Sequence, residues 1–389
     1  MIKLNRKRKN SLLVLFFSVM FILISLTPLV PSAEVETRLM VNAIGIDVGE
    51  DGMIVTAETI NGEENEVVYG KGDMLVDTLQ DLNERYGRRI ELGHCGLIAL
   101  GSNVTREDAI CIFMNVLSDG LINTGCSVVS ASGSAREFIS KAALLTKSTG
   151  DGVSGFISFT DSQASMTVPS ILEAMQALKS KSGVAVIPIL GFKEKEEESG
   201  QSGSQGSTTE QGASQNNQSK TKETEIVPPK TAKMLSRETY VLDEEMSKGL
   251  IWLLPRSKDG MAEAEMELNN QTYVLRSVIE SKTTDVSAKF EDVPVITVGV
   301  ETKLKLAQRY AVLSEVEKGL SLNELHDMMA EAYENSIREE VSRLAELSKT
   351  DDFLGFKTRL YRADPKRFNS WDGDLSNARI EYDIKATVL

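Results

Sequence analysis

The register of apolar and polar positions changes repeatedly along the chain, and each change marks an element. RLMVNAIGIDV (38–48) and MIVTAETI (53–60) are rich in β-formers and flank GEDG, so they predict two strands of a hairpin. Asp51-Gly52 is the turn signal, since both residues tolerate positive φ. In GDMLVDTLQDLNERYG, Met74, Leu75, Leu79 and Leu82 recur at helical spacing. CGLIALG has the apolar density of a buried strand. Thr105 and Asp108 form a capping box that opens a helix over REDAICIFMNVLSDG. A strand CSVVSASG, the helices SAREFISKAALL and VPSILEAMQALKSKSG, and a strand VAVIPILGF complete this half. The opening hairpin and the short units predict a mixed sheet rather than a doubly wound parallel one.

The pattern then stops. From Lys193 to Glu225 there is no aliphatic or aromatic residue except Ala213, so nothing there offsets the entropy of ordering. A flexible linker or long exposed loop is expected over 193–227, with Pro228-Pro229 marking its end. Period-two alternation resumes in AEAEMELNNQTYVLRSVIESKTTDVSAKF and PVITVGVETKLKLAQRY. Ser321 and Glu324 cap a long helix reaching about Ser348, with Leu325, Met329, Ala332, Ile337, Val341, Leu344 and Leu347 on one side. A last alternating strand, ARIEYDIKATVL, ends the chain. The expected class is α+β: an N-terminal mixed sheet over 34–192, and over 228–389 an antiparallel sheet packed with the long helix.

Ahead of these domains, Lys3, Arg6, Lys7, Arg8 and Lys9 precede an uncharged run, residues 11–30. That order is an export signal, and the run is also long enough to stay in a bilayer as a helix, so 1–33 is a signal peptide or a membrane anchor. Everything after it is expected outside the cytoplasm. With 57 acidic against 43 basic residues the net charge is -14, which excludes nucleic acid as a partner. Cys95, Cys111 and Cys126 are too few and too irregular for a disulfide framework or zinc site, and their apolar neighbours predict buried thiols.

Chemistry is sparse. There is no GxSxG elbow, no HExxH, no GxGxxG after a strand and no Walker loop. Asp47, Asp51, Gly52 and Glu58 fall at calcium-loop positions, but Gly49 replaces a ligand and strands stand where helices are needed. The two histidines are His94, at a strand entrance, and His326, on the long helix. No catalytic, cofactor or metal residue is expected. His94 reads as architecture, bonded to a neighbouring carbonyl and flanked by Gly93 and Gly96, which permit close backbone approach.

Four blocks in register resemble the Ger(x)C family, the C subunits of bacterial spore germinant receptors. They are NAIGID, with Gly45 and Asp47; GRRIELGH leading into ALGSNVTRED, with Gly87, Arg88, Gly93 and His94; MSKGLIWLL, with Gly249 and Trp252; and DDFLGFKTRLYRADPKRFNSW, with Asp352, Phe353, Gly355, Phe356, Pro365 and Trp371. The resemblance covers nearly the whole chain from residue 38. It implies a non-catalytic receptor subunit, acting with A-type and B-type integral membrane subunits in assembly and signal relay at the outer face of the spore inner membrane. These residues would be a structural signature, with Phe353 and Trp371 in the core. LTPLVPSAEVETR departs from the family in lacking a lipobox cysteine, so attachment falls to residues 11–30 or to the partners. The alternative is a secreted, divergent paralogue serving as an extracellular or cell-wall scaffold.

Overall fold

A computed structural model describes residues 15–21, 38–61, 64–118, 120–145, 168–194, 224–254, 260–268, 270–307 and 321–389. Its first hairpin pairs β1 (Arg38–Gly49) antiparallel with β2 (Gly52–Asn61), Gly49 facing Gly52 across a turn at Glu50 and Asp51. Of the two residues that tolerate positive φ, Gly52 takes it, at 101°, where a Cβ would be penalised. A register shift between Val41 and Ala43 lets Val41 and Ile44 face the same cluster.

β3 (Glu64–Gly72) extends the hairpin, and β5 (Leu97–Leu100), β6 (Ser127–Ala131) and β7 (Ala185–Glu194) continue from β1 in parallel, with β4 (Arg89–Glu91) also beside β1. β8 (Thr224–Leu235) and β9 (Tyr240–Leu242) close the sheet antiparallel. Parallel strands are covered on both faces and so read as continuous apolar runs. In β5, Ile98 and Leu100 join the helices α1 (Leu75–Tyr86), α2 (Arg106–Ser118) and α4 (Ile171–Lys179), while Leu97 and Ala99 meet α3 (Ala135–Leu145). Met74, expected on the buried face of α1, is instead its N-cap and 56% exposed.

The expected linker needs correction at both ends. Lys193 and Glu194 belong to β7, and residues 224–227 belong to β8, which returns antiparallel to it. A boundary at 228 therefore falls inside a strand of the first sheet. Pro228-Pro229 does not end an irregular stretch but sits where the β7–β8 register shifts, a position that tolerates residues without an N–H. Residues 195–223 lie outside those described. So does most of 1–33: within the expected anchor, 15–21 are helical with exposed side chains. Among the described residues no helix is long and apolar enough to cross a membrane.

The chain then enters the helical turns α5 (Glu244–Lys248) and α6 (Leu250–Leu253) and a second sheet, β10 (Met261–Leu268), β11 (Gln271–Phe290), β12 (Pro294–Leu306) and β13 (Arg379–Val388). The first three strands form the expected antiparallel meander. β13, however, runs parallel to β12, Val295 opposite Arg379 through Leu304 opposite Val388. The cause is α7 (Leu322–Thr350), which carries the chain back along the sheet as a crossover. The α+β class stands, with this one strand reversed.

Ser321 and Glu324 make both bonds of the expected capping box on α7. Its buried stripe is Leu325, Met329, Tyr333, Ile337, Val341, Leu344 and Ala345, with Ala332 and Leu347 at the half-buried margin. Tyr333 is fully buried, and its hydroxyl donates to Ser277 Oγ at 2.8 Å. The surrounding cluster crosses between sheets: Val184, Ala232, Met234 and Leu242 of the first pack with Trp252 and Val298 of the second. Replacing Tyr333 by Ala should lower stability by about 3–5 kcal/mol, and by Phe roughly 1–3 kcal/mol, in urea denaturation of the detergent-solubilised protein. No loss on Tyr333→Phe would show that the hydroxyl bond contributes nothing.

Candidate functional site: the signature residues and a groove

The residues of NAIGID and ALGSNVTRED meet at the N-terminus of α3. Asp47 accepts hydrogen bonds from Ser134 Oγ (2.9 Å), Ala135 N (2.8 Å) and Arg136 N (2.9 Å), satisfying amides that the helix itself leaves unpaired. Gly45 lets α3 lie close on β1: a Cβ there would meet Ala135 O at 2.7 Å and Ile139 Cγ1 at 2.8 Å. Lys233 of β8, 3% exposed, donates from Nζ to the carbonyls of Ser102 and Val104 (2.7 Å each) and Gly101 (3.3 Å). Its burial pulls the ammonium pKa down to about 8.

GRRIELGH wraps the start of β5. Gly87, at φ 60°, is the left-handed C-cap of α1. Arg88 is half-buried and, among the described residues, makes no ion pair. Gly93 and His94 are exposed at the centre of a turn closed by Cys95 N donating to Leu92 O at 2.9 Å. Two readings are corrected here. His94 donates to no carbonyl among the described residues because its ring faces solvent, and a Cβ on Gly93 would meet only Glu91 Oε1, at an ordinary 3.5 Å.

MSKGLIWLL docks α5 and α6 onto α7. At Gly249 a Cβ would meet Glu340 O at 2.6 Å and Leu344 Cδ1 at 2.7 Å. Trp252, 2% exposed, donates from Nε1 to Glu340 Oε2 at 2.7 Å, and burial raises the Glu340 pKa. Lys282 of β11 reaches the carbonyls of Ile251 and Leu254, and burial pulls its pKa down to about 8.

DDFLGF joins the two sheets. Asp352, 3% exposed, accepts from Phe356 N (2.5 Å), Lys357 N (2.8 Å) and Ser182 Oγ (2.7 Å), the last in the loop before β7. Burial holds its pKa above the usual carboxylate value despite these donors. Gly355, at φ 74°, turns the chain into α8 (Phe356–Ala363), burying Phe356 completely. Pro365 occupies the first turn of α9 (Pro365–Ser370), which Asp364 caps. Phe353 and Trp371 are half-buried rather than core. Trp371 stacks edge-on with Phe290 and Phe368, ring centroids 5.6 Å apart in both pairs, because α9 lies at the margin of the second sheet. Sequence reading missed Lys233, Lys282, Ser182, Glu340 and Tyr333. The one available signal was a polar residue placed within an apolar stripe.

An open groove of about 890 Å³ lies between α5–α6, β10 and α7. Its carboxylates face cations, as in Lys230–Glu244 at 2.8 Å and Lys248–Glu245 at 2.5 Å. Among the described residues no group of three or more His, Cys, Asp or Glu is arranged to hold a metal. Cys95 and Cys126 are buried as expected. Cys111 is not: it lies on the outer side of α2 and is exposed.

The spore germination protein N-terminal domain matches residues 31–192, and the spore germination B3/GerAC-like C-terminal domain matches residues 236–389. The chain therefore belongs to the Ger(x)C family of spore germination proteins. Its fold is similar to that in the crystal structure of the GerBC protein, with a TM-score of 0.51 and 13% identity over 89% of this chain and 96% of that one. No curated protein matches it.

The close approaches make the glycines testable. Gly45→Ala and Gly249→Ala should each cost about 1–3 kcal/mol in thermal or urea unfolding, and Gly93→Ala within about 0.5 kcal/mol. A loss at Gly93 as large as the other two would show that its turn carries a constraint beyond packing.

Proposed function

We propose that this protein is the C-type subunit of a spore germinant receptor, exported and held at the outer face of the spore inner membrane with A-type and B-type integral membrane subunits. It carries out no turnover and contributes to assembly and to relay of the signal when a nutrient germinant binds. The observation that carries this reading is the match of both family domains, in order, along a chain whose fold is similar to that of GerBC over 89% of its length. The placement of the signature supports it, since Gly45, Asp47, Gly249, Trp252, Asp352 and Phe356 sit at joints between elements, as suits a rigid subunit. Residues 11–30 or the partner subunits supply the attachment that a lipobox cysteine would give.

A secreted paralogue is the second reading, favoured by that missing cysteine. Carbonate extraction of spore inner membranes, then detergent solubilisation and affinity capture with mass spectrometry, separates the two. The receptor reading expects retention in the membrane fraction and co-capture of two polytopic proteins. Release as a soluble protein beginning near Glu34, without such partners, would overturn it.

A further inference from the structure

The fold sorts the three cysteines into an exposed one and a buried pair. Cys95 and Cys126 are each 2% exposed and share one apolar cluster with Leu92, Ile98 and Val128. They are far apart in sequence, but β5 and β6 bring them together. Leu97 stands opposite Ser127, and Ser127 N donates to Gly96 O at 2.9 Å, so pairing persists up to the two cysteines. Neighbouring strands run about 4.7–4.9 Å apart, inside the roughly 4.4–6.8 Å between Cα atoms that a disulfide requires.

Alternation explains how the side chains meet. Cys126 and Val128 point to the same face of the sheet, the face of Ile98 and Leu100. Cys95 by simple alternation would point the other way, with Leu97. It precedes the strand, however, and the turn closed onto Leu92 O swings its sulfur round to the Cys126 side. Both side chains lie in that one cluster, and the neighbouring Cys95 side chain together with burial pushes the Cys126 thiol far up from its ordinary pKa. Their remaining contacts are weak, Cys95 Sγ to Leu97 O at 3.2 Å and Cys126 Sγ to Ser127 O at 3.7 Å.

We propose that Cys95 and Cys126 are joined by a disulfide in the exported protein, leaving Cys111 as its free thiol. The proposal rests on the export half of the receptor reading, because disulfides persist on the oxidising side of a membrane. The oxidant is the disulfide of a thiol–disulfide oxidoreductase. One cysteine thiolate attacks a sulfur of that disulfide and expels a thiolate; the second attacks the mixed disulfide and expels the other. Two thiol protons leave this chain, and the oxidant takes two electrons to become a dithiol. The folded pair is buried and out of reach of an oxidant, and the Cys126 thiol is held protonated, so the bond forms while the chain folds, before β5 and β6 close over it. It then ties the base of the Gly93-His94 turn to the start of β6.

Protein captured from spore inner membranes, alkylated with iodoacetamide in denaturant without reductant and digested, provides the test by mass spectrometry. Expected are an alkylated Cys111 peptide and a Cys95–Cys126 linked peptide lighter by two hydrogens than the separate peptides. Prior reduction should convert this to three alkylated cysteines. Three alkylated cysteines without reduction, or a linkage that includes Cys111, would overturn the proposal. The same capture keeps the two readings apart. Free thiols alongside polytopic partners overturn the disulfide alone, and a linked pair without partners supports the disulfide while counting against the receptor.

Discussion

A carboxylate taken out of water needs donors, and the three that Asp352 finds organise the meeting of the two sheets. Phe356 N and Lys357 N fix where α8 begins, which sends Phe356 into the core. Arg359, one turn on, donates to Val286 O at 2.7 Å and so fastens α8 to β11. Ser182 Oγ is the third donor, and it belongs to the loop before β7 of the first sheet. Losing one partner of such a group leaves a buried charge short of a bond, which costs more than the bond itself contributes when made. Around this point the apolar cluster passes without interruption from Val184 and Met234 to Trp252 and Tyr333.

The same device recurs wherever a helix or loop must hold a fixed place on a sheet. Asp47 takes the free amides of α3, Lys233 takes the carbonyls of residues 101, 102 and 104, and Lys282 takes those at the end of α6. Glu340 receives the Trp252 indole, with Gly249 clearing the space for contact. Each pairs a side chain from one element with polar groups of another that would otherwise be buried unmet. Polar groups engaged in this way set the relative positions of elements.

Much of this was legible in the sequence, and the parts that were not share a cause. Period-two runs gave the strands of the second half, and the Ser321–Glu324 box marked the start of α7, because both depend on neighbours a few residues away. The parallel placement of β13 and the return of β8 onto β7 depend on partners far along the chain, which local pattern does not encode. The signature blocks were visible as residues, but their roles were not: Asp352 reads as a surface acid until Ser182 is seen opposite it. Aromatic content misled in the same direction. Phe353 and Trp371 were expected in the core, yet both stay half-buried at its margin, while Phe356 is buried completely where Gly355 turns the chain into the helix.

If the joint at Asp352 and the cluster around it bind the two sheets into one body, they must also unfold together. Differential scanning calorimetry of the detergent-solubilised protein measures this directly. A single cooperative transition, with calorimetric and van't Hoff enthalpies equal, is the expected result. Two resolved transitions, one for each sheet, would contradict it and reduce the Asp352–Ser182 contact to a touch between independent domains.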